Sequence, residues 1–343
     1  MALDRARRWS TTPWSRGAGV LAVVASVMAA GAAGPAPAGA QPAPAGTRSY
    51  YEHDATATTL ARQGERAGRS AAKGIVILDF GRPAYDAGVY GTMGYNGLFV
   101  PTEAVRAGVE AYIAGYFRNA PSYTTLDVAV GTNNSCGPGQ PCGNVASCGC
   151  PDEPPDLVAW GGQLAVTVEE VRAWVSGFRA REGYTDDVRV VAADDAEPAY
   201  DPEFHNTYAV LAGYAKAVGS AQPAMVDYGS AEANFWSEDQ LLQVAYGFSP
   251  DVPMPEIYYP AQVHQWASLV AWAKLRRHKR VSIFGVLTGG TGTVRAGTAY
   301  AEMLAAVGRL TDQKTIPWLS TIRPYTGEGE VPGIGRGDDQ GGG

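Results

Sequence analysis

Between residues 74 and 320, short apolar runs alternate with longer stretches whose apolar positions recur every three to four residues. The runs are 74–80, 126–131, 188–193, 224–228, 256–259 and 281–287. Each is short and rich in Val, Ile or aromatic residues, and each predicts a strand. Helical periodicity follows near 102–118, 167–182, 203–218, 237–246, 261–278 and 298–310. Thr102, Thr167 and Ser237 look like N-caps, and Thr167-Val-Glu-Glu170 and Ser237-Glu-Asp-Gln240 carry the acid or amide that completes a capping box. Six strand–helix units and a further strand at 316–320 imply a parallel sheet, because strands separated by helices return in one direction.

Two closures of such a sheet compete, an open doubly wound sheet and a barrel. A nucleotide-binding open sheet needs a phosphate loop after a strand, and the one candidate, Thr288-Gly-Gly-Thr-Gly-Thr293, has no Walker lysine and has Arg295 where the last Gly of the dinucleotide motif belongs. The strand ends carry acids instead: Asp79, Asp194, Asp195 with Glu197, and Asp227. Barrel active sites collect at those ends. Asp127 and Glu256 begin their runs, and Asp127 reads as a hydrogen-bonded structural acid. The expected fold is a single-domain α/β protein, a (β/α) TIM-like barrel of regular or irregular form, over residues 73–324.

The ends read differently. Four arginines precede an apolar stretch from Ala18 to Ala33, and Ala38-Gly-Ala40 matches a signal-peptidase site, so residues 1–40 read as a signal peptide and the product as a secreted, extracellular protein. Residues 41–72 read as a flexible lead-in and 325–343 as a disordered Gly-rich tail. No segment after the signal is long enough to span a bilayer. The chain of 343 residues has a formal charge of -7, and removal of residues 1–40, with four Arg and one Asp, makes it -10. No cationic field is available to hold a nucleic-acid backbone.

All four cysteines, Cys136, Cys142, Cys148 and Cys150, lie in a loop at 134–155. In an oxidising compartment they predict two disulfides of open connectivity, with Cys136 favoured to pair with Cys148 or Cys150 because a Cys148–Cys150 ring is strained. The spacing fits no usual zinc pattern, so no metal is expected there.

The stretch Val190-Val-Ala-Ala-Asp194-Asp195-Ala-Glu197-Pro198 carries the chemistry. Strand alternation sends Asp195 and Glu197 to one side and Asp194 to the other. Two carboxylates held close cannot both ionise easily, so one keeps its proton and can act as a general acid. Glycoside hydrolysis needs such a pair. Glu197 is the expected acid, Asp195 its tuning neighbour, and Glu256 or Asp79 the second carboxylate. Asp227, Tyr228, Trp236, Tyr258 and Trp318 are the expected substrate contacts, since aromatic rings stack on sugar faces. Each acid taken singly is also a good helix cap. No His-x-x-x-His pair, no Gly-x-Ser-x-Gly elbow and no cofactor motif occurs.

The succession Ala193-Asp-Asp-Ala-Glu-Pro198, Val226-Asp-Tyr-Gly-Ser-Ala231, Met254-Pro-Glu-Ile-Tyr258 with Gln265-Trp266, Phe284-Gly-Val-Leu-Thr288 and Pro317-Trp-Leu-Ser-Thr321 resembles a group of uncharacterised secreted bacterial TIM-barrel, glycoside-hydrolase-like proteins over residues 74–323. The Asp-x-Glu of Asp195 and Glu197 is also similar to the strand-end motif of lysozyme-type muramidase barrels, which implies Glu197 as the acid. The expectation is a secreted glycoside hydrolase acting without a cofactor on an extracellular or cell-wall polysaccharide. The alternative is a non-catalytic carbohydrate- or wall-binding barrel.

Overall fold

The computed structural model describes residues 42–135, 156–219, 224–248, 251–289 and 292–325. In chain order these form β1 (Thr47–Glu52), α1 (Ala57–Arg69), β2 (Gly74–Asp79), β3 (Arg82–Asp86), β4 (Val89–Met93), β5 (Phe99–Pro101), α2 (Thr102–Asn119), β6 (Thr125–Asn133), α3 (Leu157–Glu182) and β7 (Asp187–Asp195). The second half continues with α4 (Phe204–Val218), β8 (Met225–Asp227), α5 (Glu238–Tyr246), β9 (Asp251–Pro253), α6 (Pro260–Arg277), β10 (Gly285–Gly289), α7 (Ala296–Thr311) and β11 (Trp318–Tyr325).

Eight strands make one parallel sheet in the order β10-β11-β1-β2-β6-β7-β8-β9, and β3, β4 and β5 form a small antiparallel sheet inserted after β2. The large sheet is curled. The first and last strands pair along Thr47–Glu52 and Ser320–Tyr325. At the edges, the chain just past β9 meets β10 through one parallel bridge, Glu256 to Leu287. Phe284 N donates to Pro253 O (2.9 Å), Leu287 N to Pro255 O (2.9 Å) and Ile257 N to Leu287 O (2.7 Å).

Alternation along the strands builds two cores. Outward residues such as Val76, Leu78, Val128, Val190 and Met225 pack under the helices, while Ile75, Ile77, Ala129, Val191, Ala193 and Val226 fill the inside of the curl. Both faces are therefore apolar, which is why β2, β6 and β7 appear in the sequence as unbroken hydrophobic runs. The next inward positions beyond Ile77, Ala193 and Val226 are Asp79, Asp195 and Tyr228.

Several expectations are corrected. Residues 47–69, read as part of a flexible lead-in, are a strand and a helix of the main body. Thr47 and Ser49 are buried hydroxyls facing the interior, where Ser49 Oγ meets Ser320 Oγ at 2.8 Å, so β1 carries no hydrophobic signature. The body therefore begins at Thr47 rather than residue 73, and β11 carries it to Tyr325. Helix α3 starts ten residues before Thr167, whose Oγ1 donates to Gln163 O inside the helix, and Asp156 is the cap. Pro101, not Thr102, caps α2. Ser237 has the expected capping box with Gln240. The strand expected at 256–259 lies earlier, at Asp251–Pro253. The proposed signal, the four cysteines and residues 326–343 lie outside the described residues. Among the described residues no helix is long and apolar enough to cross a membrane.

Candidate active site

Three carboxylates meet at the C-terminal ends of the parallel strands. Asp195 closes β7, Glu197 lies two residues on, and Glu256 follows β9; one oxygen from each lies within 4.8 Å of the other two. Asp195 reaches the interior because Val191 and Ala193 precede it on the inward face. Glu197 is fixed through its backbone: its N–H donates to Asn134 Oδ1 (3.0 Å) and its carbonyl accepts from Asn134 Nδ2 (3.0 Å). Gly229 lets β8 approach this turn closely, since a Cβ there would stand 2.2 Å from Ala196 O. Glu256 is held by the Leu287 bridge and by its own N–H to Gly229 O (3.4 Å).

Glu197 and Glu256 line a cavity of about 800 Å³. Tyr51, Tyr95, Tyr200, Tyr258 and Tyr259 line it together with Glu197 and Glu256. Asp195, 1% exposed, lies beneath, and its Oδ1 has no hydrogen-bond partner. Tyr51 and Tyr258 bring their hydroxyls to 2.9 Å of each other and both hydrogen-bond to the Glu256 carboxyl, which is also hydrogen-bonded to that of Glu197.

Burial pushes all three acids above the usual carboxylate range. For Asp195 the next causes are the charges of Glu256 and Glu197; for Glu256, the charge of Glu197 and its bond to that group; for Glu197, the same bond acts downward and outweighs the smaller raising effect of Glu232 on the cavity wall. A direct bond between two carboxyl groups requires one proton held between them, so Glu197 and Glu256 titrate as a pair. The trio also has the spacing of three monodentate ligands to a hard divalent cation, the one such group of His, Cys, Asp and Glu among the described residues.

Asp79 is fully buried and does not line the cavity. Its oxygens accept from Tyr95 OH (2.6 Å), Tyr228 OH (2.7 Å) and Gly81 N (2.7 Å). Burial still lifts it to about 6 against those donors. Asp79 is therefore a positioning residue that holds Tyr95, which Asn133 Nδ2 also contacts (2.8 Å).

The other expected contacts separate. Tyr258 lines the cavity; Tyr228 lies beneath it, bonded to Asp79. Asp227 points the opposite way, with the outward residues of β8, accepts from Gly229 N (3.2 Å), and is raised to about 7 by burial. Trp236 is buried under the helices edge-on to Phe204. Trp318 begins β11, at the far end of the strands, beside Phe284. None of these three lines the cavity: strand parity turns Asp227 outward, Trp236 precedes α5 under the helices, and Trp318 stands at the opposite end of the sheet. Asp127 pairs with Arg189 at 2.7 Å, as expected of a structural acid.

Tyr51, Tyr95, Asn133 and Asn134 went unnoticed in the sequence. Asn133 and Asn134 follow an apolar run as Asp79 does, and that signal could have found them. Tyr51 lay in a segment without apolar pattern, and Tyr95 in the turn Gly94-Tyr-Asn-Gly97 that only the fold brings over Asp79.

No family model matches this chain, and no curated protein and no solved structure matches it either.

Proposed function

We propose that the curled sheet is a closed (β/α) barrel and that the protein is a secreted glycoside hydrolase acting on an extracellular or cell-wall polysaccharide. The observation that carries the reading is the convergence of Asp195, Glu197 and Glu256 under a tyrosine-rimmed cavity at the strand ends. The resemblance to glycoside-hydrolase-like barrels supports it.

Their mutual bond raises Glu256 and lowers Glu197, so before a substrate binds the shared proton rests on Glu256; Glu197, the more exposed of the two, receives it and acts as the general acid, and the two tyrosine hydroxyls hold Glu256 as an anion once the proton has moved. The oxygens, all within 4.8 Å, stand closer than the ~5–5.5 Å of retaining enzymes and far short of the ~6.5–9.5 Å that an inverting enzyme needs for its water, so the reading is retention, with the bond between Glu197 and Glu256 parting to admit the glycosidic oxygen. Glu197 protonates the glycosidic oxygen as the bond to the anomeric carbon breaks, and a Glu256 oxygen forms the glycosyl ester. Water, giving its proton to Glu197, then releases the sugar and restores both carboxyls. Asp195, raised by burial and by the charges of both, titrates with them as one set.

The test is release of reducing ends from a panel of neutral, acidic and amino polysaccharides, with the product anomer read by NMR. Turnover with retention, reduced at least ~10³-fold in Glu197→Gln and Glu256→Gln, is expected. No turnover on any member overturns the reading. Glycan binding that persists in Glu197→Gln without turnover in the wild type assigns a carbohydrate-binding barrel instead.

A further inference from the structure

One cavity carboxylate takes no part in the chemistry proposed above. Glu232 stands on the wall, close enough to Glu197 for its charge to raise that group. It is half-buried and held in place: Asn234 Nδ2 donates to Oε2 (3.0 Å) and Gln265 Nε2 to Oε1 (3.3 Å). A carboxylate offers about four acceptor positions, so two stay available on a group fixed toward the cavity.

Two further observations point the same way. The buried side-chain atoms around the cavity that lack a partner, Asp195 Oδ1 and Gln265 Oε1, are both acceptors. The lining carries three acids, Glu197, Glu232 and Glu256, over a fourth, Asp195, and one basic residue, Arg82. With one proton shared by Glu197 and Glu256 and Asp195 holding its own, Glu232 and the pair still outweigh Arg82, so the cavity favours cations over anions. An occupant suited to it brings hydrogen-bond donors and positive charge and few acceptors.

We infer that the glycan taken by this site carries free amino groups, and that Glu232 receives one sugar ammonium beside the catalytic pair. This rests on the hydrolase reading for the site's chemistry but makes its own demand on binding. An ammonium has three donors and no acceptor, which matches the spare acceptor positions of Glu232. N-acetylation removes the charge and two donors and adds a carbonyl acceptor. Uronate glycans bring negative charge into an already acidic cavity.

The experiment uses the full chain and three probes: a glucosamine oligosaccharide, the same oligosaccharide after complete N-acetylation, and an oligogalacturonate. Titration calorimetry at pH 6 is expected to rank the amino probe at least tenfold tighter than its acetylated twin, with no oligogalacturonate binding, and the preference is expected to weaken with added salt. Glu232→Gln is expected to cut the preference about tenfold; Glu232→Asp, which keeps the charge, is expected to retain most of it. Equal or tighter binding of the acetylated probe, or an unchanged preference in Glu232→Gln, overturns the inference. Turnover of an acetylated or neutral glycan without amino preference would overturn this inference and leave the hydrolase reading standing. Selective binding of the amino probe with no turnover of any glycan would do the reverse.

Discussion

Glu197 and Glu256 share one proton but not one environment. Glu256 is 4% exposed and receives two tyrosine hydroxyls, whereas Glu197 is only partly buried, held through its backbone by Asn134, and faces the charge of Glu232. Asp195 is joined to the pair by charge: after burial, the charges of Glu256 and Glu197 raise it most, and its Oδ1 has no donor. On the alkaline side, where the three carboxyls ionise as one set, Asn in place of Asp195 removes one of the three negative charges and leaves the pair easier to ionise. Asp195→Asn is therefore expected to move the alkaline limb of the kcat/KM profile to lower pH, by about one unit or more, with KM little changed. A displacement toward higher pH, or none, would remove Asp195 from its assigned role.

At the scale of elements, the site depends on how tightly β8 passes the turn after β7. Gly229 has the backbone of Ala196 where a side chain would stand. Gly229→Ala is expected to lose ~1–3 kcal/mol of stability and at least ~100-fold in kcat, because the same displacement moves Glu197. Urea titration and turnover measured side by side check this, and full activity in a stable variant would refute it. Close backbone approach also explains why α1 was hard to see. Its buried face holds Thr59, Gln63, Gly64 and Gly68 around Leu60, and Gly64 and Gly68 meet the Tyr112 and Tyr116 carbonyls of α2. A helix that packs through glycine and amide leaves no apolar stripe to read. Gly161 and Gly213 do the same between α3 and α4, and Gly161-Gly162 hid the first ten residues of α3. The acid stretch at 194–197 was legible because strand parity decides which side each residue faces. Trp236 and Trp318 were not, because an aromatic residue near a strand carries no mark of which end or layer it occupies.

Over the whole molecule, buried acids outnumber what the site needs. Burial raises Glu52 to about 8, Asp79 to about 6, Asp227 to about 7 and Asp251 to about 8, and it raises Asp194 as well, with the charge of Asp227 adding to it. Glu52 accepts from Gln63 Nε2 (3.0 Å) with one oxygen, and the other has no partner. A carboxyl whose affinity for protons is higher in the folded chain than in the unfolded one contributes stability that is complete below its ordinary range near pH 4. That stability is lost as pH climbs through the raised value, because the folded state holds the extra protons. The window set by these groups is pH 4 to 8. The urea midpoint is expected to be higher at pH 5 than at pH 8, with each group contributing on the order of 1.4 kcal/mol per unit of displacement. A midpoint that is flat or rises across that interval would contradict the burial of these acids as protonated groups.

The backbone bonds between the β9 extension and β10 set a limit on how the site can fluctuate. The same short stretch that supplies Glu256 also carries the Ile257 amide and the Pro255 carbonyl bonded to Leu287. Any breathing that parts these strands withdraws Glu256 from Glu197 in the same motion. Amide hydrogen exchange at Ile257 and Leu287 therefore measures the fraction of time the molecule spends without a working acid pair. Substitutions that speed exchange at those two amides are expected to lower activity in proportion, even when global unfolding is unchanged.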